Sequence, residues 1–177
     1  MADAKYKVNN VVLTVFYEDT RFDLNELASS LEGARYEPES FPGVIYKTIE
    51  PKAAFLIFSS GKANCVGANS VKGGKKAIEK LTDKLQDLGF DLGEPGIKVR
   101  NMVASVDFQR KFDLEEIARN FPHAEYNPET FPGLAFRLEG YKSMIFLLFT
   151  QGEGVCVGAK NKEEIEEGIR RVEKAIE

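Results

Sequence analysis

Apolar positions along the chain fall into two alternating rhythms. Val8 to Tyr17 is a β-branched and aromatic run that predicts a strand, and Phe22 to Leu31 places Leu24, Leu27, Ala28 and Leu31 at helical spacing after an Asp23 cap. Gly43 to Glu50, Ala53 to Ser60 and Lys62 to Asn69 are short apolar segments separated by Pro51-Lys52 and Ser60-Gly61, the pattern of antiparallel strands joined by tight turns. Ile78, Leu81, Leu85 and Leu88 then form one apolar stripe of a helix. The order strand, helix, strand meander, helix makes an α+β unit.

The whole pattern occurs twice. Phe22 to Gly43 matches Phe112 to Gly133 at 12 of 22 positions, and Phe55 to Ala68 matches Phe146 to Ala159 at 8 of 14, too many for chance. Asn10-Val11-Val12 pairs with Asn101-Met102-Val103, and the second helical stripe returns as Ile165, Ile169, Val172 and Ile176. A period this long indicates a duplicated domain and excludes a solenoid. We divide the copies as 1–91 and 92–177, with the break in the Gly- and Pro-containing stretch from Gly89 to Gly96.

Strand alternation exposes a problem of cover. Ala54, Leu56 and Phe58 occupy one face of their strand and Ala53, Phe55 and Ile57 the other; the second copy sets Ile145, Leu147 and Phe149 against Phe146 and Leu148. Both faces are apolar, yet two helices per copy cover only one side of an antiparallel meander. An apolar face is left over, either to mate with itself or to bind something. Phe41-Pro42-Gly43 and Phe131-Pro132-Gly133 each put a large aromatic beside a Pro/Gly turn, where burial is hard to arrange. Such a ring either folds back onto the sheet edge or serves as an apolar wedge for a partner.

Composition removes other classes. The 177 residues are 43% hydrophobic, which argues against disorder. No apolar run reaches membrane-spanning length, and the N-terminus lacks the pattern of a signal peptide, so a soluble intracellular protein without membrane partners is expected. Two cysteines exclude a disulfide scaffold, and the single His123 excludes a site built from several imidazoles. Cys65 and Cys156 alternate with Val66 and Val157 and read as small core residues. Gly73-Gly74-Lys75 fails as a phosphate loop, because Asn69 and Lys76 stand where Gly and Ser/Thr are needed. No catalytic residue, metal ligand or cofactor is expected, and the chain is not read as an enzyme. A net charge of -4 taken alone argues against nucleic acid.

Motif order changes that picture. Asn10-Val11-Val12, Tyr36-Glu37-Pro38-Glu39-x-Phe41-Pro42-Gly43-Val44, Leu56-Ile57-Phe58-Ser59-Ser60-Gly61-Lys62 and Gly67-Ala68, with their second-copy counterparts, closely resemble the TATA-box-binding protein family in its archaeal form. The resemblance spans essentially the whole chain. It implies a pseudo-twofold saddle, one curved antiparallel sheet with helices on the convex side and the DNA minor groove against the concave side.

Residue by residue, the resemblance implies DNA intercalation by Phe41, Phe58, Phe131 and Phe149, cheapest at flexible TA-type steps. It implies minor-groove contact by Asn10 and Asn101, whose amides donate to adenine N3 and thymine O2, and by an apolar floor of Val12, Leu56, Val66, Val103, Leu147, Val155 and Val157 with Pro42 and Pro132. Val66 and Val157 stand where eukaryotic members carry Thr, so readout here leans on shape and apolar contact. Phosphate contacts map onto Lys47, Lys62, Arg137 and Lys160, while the counterparts Asn69 and Glu153 are not basic.

The implied partners are double-stranded A·T-rich promoter DNA, transcription factor B at Asn127, Glu129 and Thr130, and RNA polymerase. The first-copy loop with Glu37 and Glu39 leaves the factor B end open. A homodimer through the sheet face is expected when DNA is absent. The implied location is cytoplasmic and nucleoid-associated, or nuclear in a eukaryote. The competing class is a duplicated protein- or ligand-binding module that uses the same apolar face without DNA.

The charge balance then reads differently. Segments Val44 to Asn69 and Leu134 to Lys160 carry Lys47, Lys52, Lys62, Arg137, Lys142 and Lys160 against Glu50, Glu139 and Glu153, a net +3 that leaves -7 elsewhere. Modest phosphate neutralisation and a shallow salt dependence are expected.

Overall fold

The computed structural model describes residues 4–141 and 143–176; Lys142, counted above among the basic positions, lies outside them. The elements run β1 (Lys5–Tyr17), α1 (Leu24–Ser30), β2 (Val44–Ile49), β3 (Lys52–Ile57), β4 (Lys62–Ala68), α2 (Val71–Asp87), β5 (Pro95–Asp107), α3 (Leu114–Asn120), β6 (Ala124–Glu125), β7 (Leu134–Arg137), β8 (Ile145–Leu148), β9 (Glu153–Ala159) and α4 (Lys162–Ala175). This is the duplicated α+β order expected from the sequence.

Two compact units result, one of Asn10–Arg100 and one of the residues up to Asn9 together with those from Asn101 onward. In the first, antiparallel strands lie in the order β2-β3-β4-β1; in the second, β5-β9-β8-β7-β6.

Each helix starts where a side chain satisfies orphan backbone donors. The Asp23 carboxylate accepts from the Asn25 and Glu26 amides, Ser70 Oγ from Gly73, Asp113 from Glu116 and Asn161 from Glu164. The caps trim α1 to Leu24–Ser30, inside the predicted Phe22 to Leu31, and let α2 begin at Val71, two residues before the Gly73-Gly74 pair.

Helix stripes and alternate strand residues form each core. In the first unit Val11, Leu13, Val15, Phe55, Ile57, Ala63 and Cys65 are sealed beneath Leu27, Ile78, Leu81 and Leu85. In the second, Met102, Ala104, Phe146, Leu148 and Cys156 lie beneath Leu114, Ile117, Ile165 and Val172. Leu88 departs from the expected stripe: it is the C-cap of α2 and 43% exposed, because the helix stops before its fourth stripe position turns inward.

Two strands are longer than the apolar pattern suggested. β1 begins at Lys5 and not at Val8, and β5 extends back to Pro95, through charged positions that a hydrophobicity criterion passes over. The preceding connector is pinned: the Gly93 amide donates to Thr20 Oγ1 at 2.9 Å and the Glu18 amide to the Glu94 carbonyl at 3.2 Å.

Candidate nucleic-acid interface

The sheet residues that point away from the helices are half-buried, in register and largely apolar. In the first unit Leu56 pairs with Asn64 and Ile45, Ala54 with Val66 and Lys47, beside Asn10 and Val12 of β1. In the second, Leu147 pairs with Val155 and Ala135, Ile145 with Val157 and Arg137, beside Asn101 and Val103 of β5. The faces expected to lack helical cover are therefore the open ones, and they hold Val12, Leu56, Val66, Val103, Leu147, Val155 and Val157, while Pro42 and Pro132 lie on the loops before β2 and β7.

The paired asparagines are set by a repeated irregularity. The β1/β4 register slips between Val11 and Leu13, and the β5/β9 register slips between Met102 and Ala104. Gly67 (φ 83°) and Gly158 (φ 90°) occupy the extra position, a left-handed conformation that favours glycine. Each bulged amide is turned out of the ladder and donates to an asparagine: Gly67 N to Asn10 Oδ1 and Gly158 N to Asn101 Oδ1, both at 2.8 Å. With Oδ1 so engaged, the Nδ2 group of each amide is left without a partner among the described residues. Each unit thus presents a pre-oriented pair of N–H donors.

The phenylalanines meet in pairs, neither sealed in the core nor isolated in solvent. Phe41 and Phe58 have ring centroids 5.8 Å apart, and Phe131 and Phe149 5.9 Å apart. The loop ring is brought down on the ring that follows β3 or β8 because the glycine between them has no side chain. A Cβ at Gly43 would meet Phe41 at 2.9 Å and Phe58 at 3.1 Å; at Gly133 it would meet Phe131 at 2.7 Å and Phe149 at 2.8 Å. A tight turn fixes each loop, closed by Phe41 N to Glu37 O at 2.9 Å and Phe131 N to Asn127 O at 3.1 Å. Phe131 remains 43% exposed.

The four basic positions, Lys47, Lys62, Arg137 and Lys160, are exposed, as are Pro42 and Pro132. Asn127, Glu129 and Thr130 are exposed on the second-unit loop, where Thr130 Oγ1 donates to the Asn127 carbonyl at 3.1 Å.

Sequence reasoning missed the polar ends of the open faces. A depression in the first unit is lined by Thr14, Phe16, Lys62, Lys98 and Arg100, and one in the second by Lys5, Lys7, Ser105, Asp107, Phe149, Glu153 and Val155. The signal was present in the duplication: Lys7-Val8-Asn9-Asn10 and Lys98-Val99-Arg100-Asn101 align residue for residue. These cations lie outside the segments used for the charge count, which therefore understates the basic character of the first unit's open face.

Both cysteines are fully buried, and burial pushes the Cys65 thiol up to about 11 and the Cys156 thiol up to about 12, the latter helped by Glu164. They are core residues, as expected. Because the thiolate is the reactive form, neither thiol should label with a maleimide in the native protein near neutral pH, while both should label in denaturant; native labelling at a rate close to the denatured one would contradict this placement. Among the described residues no cluster of His, Cys, Asp or Glu could hold a metal, and no helix is long and apolar enough to cross a membrane.

Comparison with known proteins agrees with this geometry. The family model described as Transcription factor TFIID (or TATA-binding protein, TBP) matches residues 5–88 and again 96–177. The TATA-box-binding protein of Picrophilus torridus is 42% identical over 176 residues, covering 98% of this chain and 95% of that one. That of Methanocaldococcus jannaschii is 41% identical over 171 residues, covering 96% and 92%. The solved structure titled Methanococcus jannaschii TBP superposes with a TM-score of 0.88 at 40% identity, covering 97% of this chain and 98% of that one. The chain belongs to the TATA-binding protein family.

Proposed function

We propose that this chain is a TATA-box-binding general transcription factor of the archaeal type, which lays its open sheet faces in the minor groove and wedges a phenylalanine pair of each unit into a base step. The observation that carries the reading is the uncovered apolar face with an inclined phenylalanine pair at its margin, present in each copy of a chain of this family. Apolar burial against sugars and base edges supplies affinity, and unstacking at a deformable step couples that affinity to sequence. The locked amides of Asn10 and Asn101 present donors to the adenine N3 and thymine O2 acceptors. Lys47, Lys62, Arg137 and Lys160 meet phosphates.

A TATA duplex carrying donor and acceptor fluorophores at its ends tests this reading. Binding with a rise in energy transfer is expected, and neither binding nor bending at micromolar protein would overturn it.

The same reading places transcription factor B on the second-unit loop, from which RNA polymerase is recruited. Charge favours that loop over its first-unit counterpart. Glu37 is paired with Arg35 at 3.2 Å, whereas the position matching Arg35 is Glu125 at the end of β6, so Glu125 and the loop residue Glu129 that follows it have no ion-pair partner among the described residues. Glu129→Arg is expected to leave TATA binding within about twofold, since none of the proposed DNA contacts falls on this side chain, and to lower factor B recruitment at least about tenfold through like-charge repulsion. A gel-shift titration of factor B onto the preformed DNA complex reads both; unchanged ternary assembly would remove Glu129 from the interface.

A further inference from the structure

The two open faces differ at one matched pair of positions next to the locked amides. Arg100 precedes Asn101 and Asn9 precedes Asn10, and each reaches the open face of its own unit through an equivalent hydroxyl. Arg100 Nε donates to Thr14 Oγ1 at 3.3 Å, and Thr14 Oγ1 in turn donates to Asn64 Oδ1 at 3.4 Å. Asn9 Nδ2 lies 2.8 Å from Ser105 Oγ. Thr14 and Ser105 occupy the same place in the duplication, as do Asn64 and Val155. Both head groups are exposed.

Their chemistry is not equivalent. A guanidinium carries only donors, so Arg100 complements the acceptors of an A·T pair and opposes the N2 amino group of guanine. An amide carries a donor and an acceptor. The Ser105 hydroxyl both donates and accepts, so Asn9 keeps its hydrogen bond with either end turned outward, and the outward Oδ1 accepts from guanine N2. Asn10 and Asn101 have no such freedom, because their Oδ1 atoms are held by backbone N–H groups.

We infer that Arg100 and Asn9 make base readout unequal in the two halves of the site: the Arg100 half excludes G·C at the pair it faces, while the Asn9 half tolerates it. The protein thereby acquires a preferred direction on any A·T element in which one such pair is G·C. This rests on the minor-groove reading above.

The test is a G·C scan of a self-complementary A·T element, in which one pair at a time, and then that pair together with its symmetry mate, is replaced. For the wild-type protein one position should emerge where a single replacement costs less than about threefold, since the protein turns to set Asn9 over it, while replacing both mates costs at least about tenfold more. Arg100→Asn should bring the double replacement within about threefold of the single one, and Asn9→Arg should make the single replacement cost about tenfold. Every replacement in the scan costing the same in the single and the double context, or neither variant changing these ratios, would overturn the inference. No binding to the unsubstituted A·T duplex would instead refute the minor-groove reading itself. The wild-type comparison needs no variant to fold.

Discussion

Phe149→Ala is expected to leave the protein folded and to strip it of most of its bending, whereas Phe146→Ala, three residues earlier, is expected to unfold it or nearly so. The contrast follows from the face on which each ring lies. Phe146 is fully buried on β8 against the α4 side, where a cavity the size of its ring costs about 3–5 kcal/mol, a large part of the 5–15 kcal/mol that holds a typical domain. Phe149 follows the end of β8 on the open side, half-buried, with Phe131 as its ring partner at 5.9 Å. Its removal from the free protein gives up one aromatic pair, worth about 0.5–1.5 kcal/mol.

In the proposed DNA complex the expected loss is larger. An inserted ring exchanges water for base faces, and forfeiting that burial costs about 1.5–3 kcal/mol, or about ten- to 150-fold in affinity. The remaining Phe131, deprived of its support, no longer holds a wedge angle, so the effects of Phe131→Ala and Phe149→Ala should be non-additive. Phe58→Ala should act in the same way through Phe41. Thermal unfolding together with end-to-end energy transfer separates the two roles. A midpoint drop for Phe149→Ala equal to that for Phe146→Ala would make it a core residue, and full bending by the variant would remove it from the wedge.

What could be read before the structure, and what could not, divides along a physical line. Alternation in Ala53 to Phe58 was enough to separate Leu56 and Phe58 from Phe55 and Ile57, because a pleated strand has period two and the helices could cover only one side. The same logic assigned Cys65 and Cys156 to the core. It failed at the N-terminal stretches of β1 and β5, where Lys5, Lys7, Lys98 and Arg100 interrupt the apolar pattern although the strands continue. Pattern reports which residues shun water; it is silent on strands whose exposed face is charged. Nor could it show how Asn10 is held, since that depends on a one-residue slip opposite Gly67, a long-range register event with no local signature. The charge count is incomplete for a related reason: it sums over segments and so omits Lys98 and Arg100, which line the open face of the first unit.

Asn101→Asp should separate holding the bulge from reading the groove, and Asn10→Asp should repeat the result in the other unit. The substitution is nearly isosteric. A carboxylate oxygen still accepts the Gly158 amide now 2.8 Å from Asn101 Oδ1, and hydrogen bonds to a charged group contribute about 1.5–3 kcal/mol against about 1 kcal/mol for a neutral one. Folding stability should therefore be unchanged or slightly raised. The outward group, however, changes from two donors to an anionic acceptor, which would face adenine N3, thymine O2 and the negative potential of the groove. Unlike charge at a rim, this replaces an attraction with a repulsion at a desolvated contact, where like-charge juxtaposition costs several kcal/mol. An affinity loss of at least about 100-fold is expected for either variant, equal to about 2.7 kcal/mol. Asn101→Leu supplies the complementary case: it removes the acceptor from the Gly158 amide, so the register of β5 against β9 loses support and stability falls by about 1 kcal/mol, yet it brings no anion to the groove and should bind DNA better than the aspartate variant. If Asn101→Asp binds a TATA duplex as tightly as Asn101→Leu, the outward amide does not read acceptors, and the asparagine's role ends with the bulge it holds.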